Sequence, residues 1–505
     1  MKLNKKLIKF ISFALIAVFI IGIGAYFIIT NDFEHVIASA SKNRTNYSLD
    51  AVYAESDHSL LVKEKVDFYN ETDSVLNDVC FHLYPKAFCE GASVLPYTEL
   101  TKARCFPNGV SYADFKITSL KAENEPKPVT LLGEDKDILK VDLISGLAKK
   151  ARTNIEIEFV LTLPNCTHRM GYFEDNVNLG NFYPIVCDYL ESGEWDTTPY
   201  YATGDPFNSN VSNYSAVFSI PKDYNFASSG EVVSVTQNGE NNVYNVNGLA
   251  IRDFALVLTK SNNILSDRIG NTTINYFAGE DDENARDYLT LACEAFFTYS
   301  SNFGEYPYKT LNIVKSPFMQ GGMEYPNLII ASSLITEKEE YQKVIVHEIA
   351  HQWWYGVCGN NQVVDAWFDE GLSEFSTFLF FDQHPKYGVN METLIEDAAA
   401  GYNLYLEVFN TINIFVNRKM NMPVCDYSSE YEYTYMVYVK GAIMFNEMNQ
   451  TIGQKRFLKG LKKLYKTNKF GKVNAEKFCD AFGASKKTIE EILTKYLNGQ
   501  SYLDI

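Results

Sequence analysis

The sequence reads as a multidomain fold: an N-terminal transmembrane helix, a large antiparallel β-sheet domain, and then an α+β domain rich in helices. Three observations carry this reading. Residues 10–29, FISFALIAVFIIGIGAYFII, run without a charge. Residues 45–262 alternate apolar and polar side chains between turn residues. Beyond residue 262 the apolar period lengthens to that of helices.

The first segment follows from length and flanking charge. Twenty helical residues span about 30 Å, the thickness of a bilayer's hydrocarbon core. Lys2, Lys5, Lys6 and Lys9 precede the run, and basic flanks stay on the cytoplasmic side. Ile23-Gly24-Ala25 is a poor exit site for a signal peptidase, so an uncleaved anchor is expected. Residues 1–9 then form a cytoplasmic basic segment, 10–29 the anchor and 30–44 a linker. The expected location is the cell membrane, single-pass, with everything beyond about residue 31 outside the cell.

The β-rich domain is expected over 45–262. Ile155, Ile157, Phe159, Leu161 and Leu163 share one face of a strand. Val62, Glu64, Val66 and Phe68 repeat the alternation more weakly, and Asn238-Gly239 between two β-rich runs signals a hairpin. Residues 263–505 form the last domain. DENARDYLTLACEAFFTYSSNFG, the segment Tyr341–Tyr355 and most of 385–498 read as helices, with strands in YKTLNIVKSP and NLIIASS. Gly356 is the expected stop for the second of these helices.

Bulk properties narrow the partners. A net charge of −18 argues against nucleic acid. The lysine-rich end, residues 451–505, places Phe457, Leu461, Leu464 and Tyr465 on one helical face and its lysines toward water. Nine cysteines occur without CxxC pairing. They read as small buried hydrophobes, with a bridge from Cys80 to Cys89 or Cys105 left open.

HEIAHQWW, residues 347–354, carries the chemistry. His347 and His351 lie one helical turn apart on one face, so both can hold one cation. A third histidine six residues on, with a glycine three residues on, would mark one class of zinc enzyme. Those positions are Val357 and Trp354, which excludes it. The remaining His-His-Glu arrangement draws its carboxylate from a later helix. Glu370 in AWFDEGLSEF is the expected third ligand, with Glu374 one turn further either orienting a ligand or facing solvent.

HEIAHQWW, followed after eighteen residues by the Glu of DEG, resembles the M1 family of zinc aminopeptidases. GGMEYP, Gly321 to Pro326, and Tyr438-Val439-Lys440-Gly441 extend the likeness. HLYPKAF and DYLESGEWDTTPYYATGDPF resemble the β domain of bacterial members. The resemblance implies a thermolysin-like catalytic domain holding one zinc ion through His347, His351 and Glu370. It gives Glu348 the role of general base toward a water acidified by the metal, and Tyr438 that of hydrogen-bond donor to the developing oxyanion. Tyr431, Tyr433 and Tyr435 stand close by in sequence, and the Lys-Gly context selects Tyr438.

Gly321, Gly322 and Met323 would pair with substrate backbone as an edge strand. Glu324 would neutralise a free α-ammonium, making the substrates peptides with a free N-terminus. Tyr325 stands where the family usually has Asn. Glu191 and Glu194 are the β-domain candidates for a second amine contact. Asp369 and Trp367 are expected to serve packing and helix-start electrostatics. The long helical domain of many family members has no counterpart before Ile505, so a cleft open on one side is expected. The alternatives are another zinc hydrolase activity, on internal peptide bonds or epoxides, and a non-catalytic domain that binds peptides.

Overall fold

The computed structural model describes residues 35–412, 414 and 416–500. Its β-rich part holds an eight-stranded sheet and two four-stranded sheets. The large sheet centres on Asn46–Ala54, Ser59–Tyr69 and Arg152–Thr162, which pair antiparallel in that order. Ser212–Pro221 runs parallel to Asn46–Ala54, so the expected antiparallel sheet contains one parallel pair.

The alternation read from residues 155–163 is the inward face of this sheet. Ile155, Ile157, Phe159 and Leu161 have no exposed surface. Burying four such side chains is worth roughly 6–12 kcal/mol, comparable to the net stability of a domain. A one-residue slip would turn all four outward, so the register is strongly specified. The Asn238-Gly239 signal marks a hairpin, with Asn238 paired to Asn241 and Gly239 at φ +62°.

From Ile264 the chain builds a five-stranded sheet and the long helices. These are α1 (Ala285–Phe303), α2 (Lys338–His351), α3 (Ala366–Gln383), α4 (Met391–Thr411), α5 (Lys440–Ile452), α6 (Gln454–Asn468) and α7 (Lys486–Leu497). Three parallel strands, Thr272–Phe277, Thr310–Ser316 and Leu328–Ser332, form the middle of the sheet. Gly322–Met323 is its antiparallel edge. On α6 the residues Phe457, Leu461, Leu464 and Tyr465 are buried, and its lysines lie on the other side.

The two parts are joined by buried hydrogen bonds. The Arg252 guanidinium donates to the carbonyls of Ser209, Tyr355 and Gly471, at 2.8, 3.0 and 2.8 Å. Asn327 reaches Ser229 O at 2.8 Å and Asn312 reaches Ser228 O at 2.9 Å. Each spends a polar group that could not remain unpaired at this depth.

Several expectations are corrected. Among the described residues no helix is long and apolar enough to cross a membrane. The described residues form a β-sheet part and a helical part with no membrane-spanning helix among them, and the expected span, residues 10–29, lies outside them. Helix α2 ends at His351 rather than continuing to Tyr355. The chain turns there, with Tyr355 at φ +143° and the Gly356 N–H on His351 O. Cys80 faces Cys187, whose N–H bonds the Cys80 carbonyl, rather than Cys89 or Cys105, and all nine thiols are free.

One buried group works against the fold. Glu64 points inward between Leu49 and Ile157 on the neighbouring strands, is 1% exposed, and neither of its carboxylate oxygens meets a donor among the described residues. Burial holds its pKa well above the usual 4.5. The native carboxyl stays protonated where the unfolded one ionises, so stability falls as pH rises above about 4.5 toward the raised native value. Glu64→Leu should raise stability at pH 7 by roughly 1–3 kcal/mol, with a smaller gain at pH 5. Urea unfolding of both proteins at the two pH values checks this.

Candidate active site

Helix α2 presents His347 and His351 to α3, which presents Glu370. Their inner atoms converge: Nε2 to Nε2 is 3.0 Å, and Glu370 Oε2 lies 3.3 Å from His347 Nε2 and 3.1 Å from His351 Nε2. The outer ring nitrogens are occupied. His347 Nδ1 meets Glu374 Oε2 at 2.9 Å and His351 Nδ1 meets Trp354 O at 3.1 Å. Two acceptors outside require Nδ1–H, which leaves both Nε2 lone pairs aimed at each other and at a carboxylate oxygen. Such a set calls for a positive charge among its members, a proton when no metal is bound, and two imidazoles with one carboxylate suit zinc. The residues fit the expected ion. Burial opposes charge on His347, yet Glu370 and Glu374 outweigh it and raise its pKa to about 9.

Glycines set the clearances. A Cβ on Gly371 or on Gly441 would press into the backbone of the other, so α3 and α5 meet at this pair. That contact brings the segment ahead of α5 against Glu370. The segment, Thr434–Val439, is a π-helical turn, a form common at functional sites. Its wider period places Tyr433 and Tyr438 on one side, with ring centroids 5.8 Å apart. Tyr438 lies over His347 at 5.7 Å, nearly parallel. Tyr435 instead stacks on Tyr405, and Tyr431 is exposed.

The edge strand Gly322–Met323 runs beside α2. A Cβ on Gly322 would run into the Glu348 carboxylate, whereas Gly321 has ordinary room. Met323 is buried in the core. Burial lifts the Glu348 carboxyl to about 7, and its Oε2 has no partner among the described residues. Gly321, Gly322, Glu324, His347, Glu348, His351, Glu370 and Tyr438 all line one cleft of about 440 Å³. Met323 does not. A larger cavity of about 560 Å³, between Tyr47, Tyr214 and Trp195 in the β part, contains none of these groups.

Sequence reasoning missed Asp205 and its partner Arg169. Asp205, from the GDPF stretch, lines the cleft and lies with Glu324 and Glu370 in one cluster of carboxylates within 4.8 Å. Buried Arg169 holds it at 2.7 Å. Glu191 and Glu194, the expected β-domain contacts, are exposed and lie outside the cleft. Asp369 does more than pack: it accepts from Asn360 at 2.8 Å and Gln362 at 2.9 Å. Trp367 does pack, against Phe445 and Phe478. Tyr325 points away from the cleft, its hydroxyl donating to Asn181 Oδ1 at 2.6 Å over Gly180, where any Cβ would strike the ring.

Glu374, left open between orienting a ligand and facing solvent, bonds the first histidine. Glu374→Ala should lower zinc affinity by roughly 10–100-fold and leave thermal stability of the apoprotein nearly unchanged. Competition with a chromogenic chelator measures the affinity directly.

A family model described as the peptidase family M1 domain matches residues 289–496. Aminopeptidase N of Lactobacillus delbrueckii subsp. lactis is 24% identical over 230 residues, 42% of this chain and 26% of that protein. Glutamyl aminopeptidase of Sus scrofa is 22% identical over 248 residues, 45% of this chain and 25% of that protein. The chain thus spans about a quarter of the length of the curated relatives it matches. Among solved structures, an M1 zinc metallopeptidase from Deinococcus radiodurans aligns over 92% of this chain and 96% of its own, with TM-score 0.59 and 14% identity. A mutant form of the Deinococcus radiodurans M1 zinc metallopeptidase has been solved with a Tyr-Ser-Ala substrate. The sequence match over residues 289–496 and the shared two-part fold agree, and both liken the chain to peptidase family M1.

Proposed function

We propose that this protein is a zinc aminopeptidase that hydrolyses the N-terminal residue from peptides. The observation that carries the reading is the closeness of Glu324 and Asp205 to Glu370 in a cleft whose wall also holds His347 and His351. An endopeptidase needs a cleft open past both sides of the bond cut. Two carboxyl groups beside the metal ligands suit a free α-ammonium instead.

Zinc bound by His347, His351 and Glu370 supplies a Lewis acid for the scissile carbonyl and for the water that attacks it. The chain's own groups do the rest. The edge strand at Gly322 pairs with the substrate backbone, and Gly322 leaves room for Glu348 behind it. Glu348 takes the proton from the attacking water on its unpartnered oxygen. It returns that proton to the amine as the C–N bond breaks, so no charge is left on the leaving group. Burial holds the Tyr438 phenol well above its usual pKa, with the Glu370 charge adding to this. The phenol therefore stays protonated and donates to the carbonyl oxygen as negative charge builds there. Glu324 and Asp205 fix the ammonium, which sets the first peptide bond at the metal.

Glu348→Gln should lower kcat by about 10²–10⁴-fold while zinc content stays at one ion per chain. Fluorogenic amino-acid amides should be cleaved and their N-acetyl forms left intact. Cleavage of the blocked forms at comparable rates would contradict the aminopeptidase reading, and full activity in Glu348→Gln would contradict the role of that base.

A further inference from the structure

We propose that Gln362 is a positioning residue for the amine end of the cleft, acting through Glu324. The inference rests on the aminopeptidase reading and deepens it. Gln362 is 1% exposed and sits in the turn that leads into α3. Its side-chain nitrogen donates to Glu324 Oε1 at 2.7 Å and to Asp369 Oδ2 at 2.9 Å. Its backbone N–H donates to Phe207 O at 3.1 Å, two residues beyond Asp205. One residue therefore touches the strand end that carries Glu324, the helix that carries Glu370, and the β-domain segment that carries Asp205.

The chemistry of the amide explains why it suits this place. Burial first, and then the carboxyl groups of Asp205, Glu370 and Glu348 beside it, hold the Glu324 carboxyl well above its usual pKa, so it needs the positive charge of an ammonium to ionise. A lysine or arginine behind it would hold it still but would cancel the charge an ammonium needs. A neutral amide orients one carboxylate oxygen and leaves the net charge intact. Both N–H groups of Gln362 are used on carboxylates, and its own oxygen has no partner among the described residues. Asp369, held by Asn360 on its other oxygen, anchors the far side of the bridge. The arrangement fixes Oε1 of Glu324, a residue that lines the cleft.

Two variants test this. Gln362→Met keeps the length and loses both donors, and Gln362→Glu keeps the shape and presents only acceptors. Inhibition by leucine hydroxamate is compared with inhibition by its des-amino analogue, which binds the metal without an amine. The wild type should prefer the amino form. In both variants that preference should fall by about tenfold or more. The des-amino inhibition constant, zinc content and kcat should stay close to wild type while KM rises. If both variants keep the wild-type preference, Gln362 positions nothing. If both hydroxamates weaken equally as the melting temperature falls, the residue is only structural and the inference is overturned. If the wild type itself shows no preference for the amino form, the aminopeptidase reading fails first and this inference falls with it.

Discussion

The close approach of Gly371 to Gly441 is the constraint on which the site depends. Helices cannot come this near with a side chain between them, and each glycine would clash with the other's backbone if it gained a Cβ. Glu370 is the residue before one glycine, and Tyr438 lies three before the other. The contact therefore fixes Glu370 and Tyr438 against each other. Helix α2 then meets α3 so that both imidazole Nε2 atoms face one carboxylate oxygen. Buried together, these groups need a positive charge among them, which suits the set to a cation.

The β part completes the cleft as well as covering it. Asp205 sits in an irregular stretch between strands, and its direction comes from the Arg169 guanidinium, itself packed on the rings of Tyr200 and Phe207. Arg252 ties that stretch, through Ser209, to the turn after α2 at Tyr355, and Tyr325, next to Glu324, is tied to Asn181 of the β part. Tyr325 explains its own departure from the usual Asn. It serves the join between the two parts, and Gly180 leaves the space it fills.

What could be read in the sequence was local. His347, Glu348 and His351 were legible because four residues make one helical turn, and Glu370 because the chain between them is long enough to return on a second helix. Tyr438 was legible through the Lys-Gly that follows it, which the structure explains by the glycine contact. Asp205 and Gln362 were not legible, since neither sits on a periodic element and each reaches the cleft through tertiary packing. The end of α2 was misplaced for a related reason. Nothing in residues 352–355 breaks a helix, and the turn there is imposed by burial of Trp353 and Trp354 and by the bond from His351 to the Trp354 carbonyl. The β strands of residues 155–163 were plain because alternation and burial coincide there, while the parallel pairing of Asn46–Ala54 with Ser212–Pro221 joins segments too far apart for any local pattern.

The proposed chemistry depends on a zinc ion held by His347, His351 and Glu370. Zinc K-edge X-ray absorption on the purified protein tests it most directly. Two imidazole nitrogens near 2.0–2.1 Å and oxygen donors completing a four-coordinate shell are the result it predicts. A sulfur shell near 2.3 Å, or a protein that binds no zinc, would contradict it.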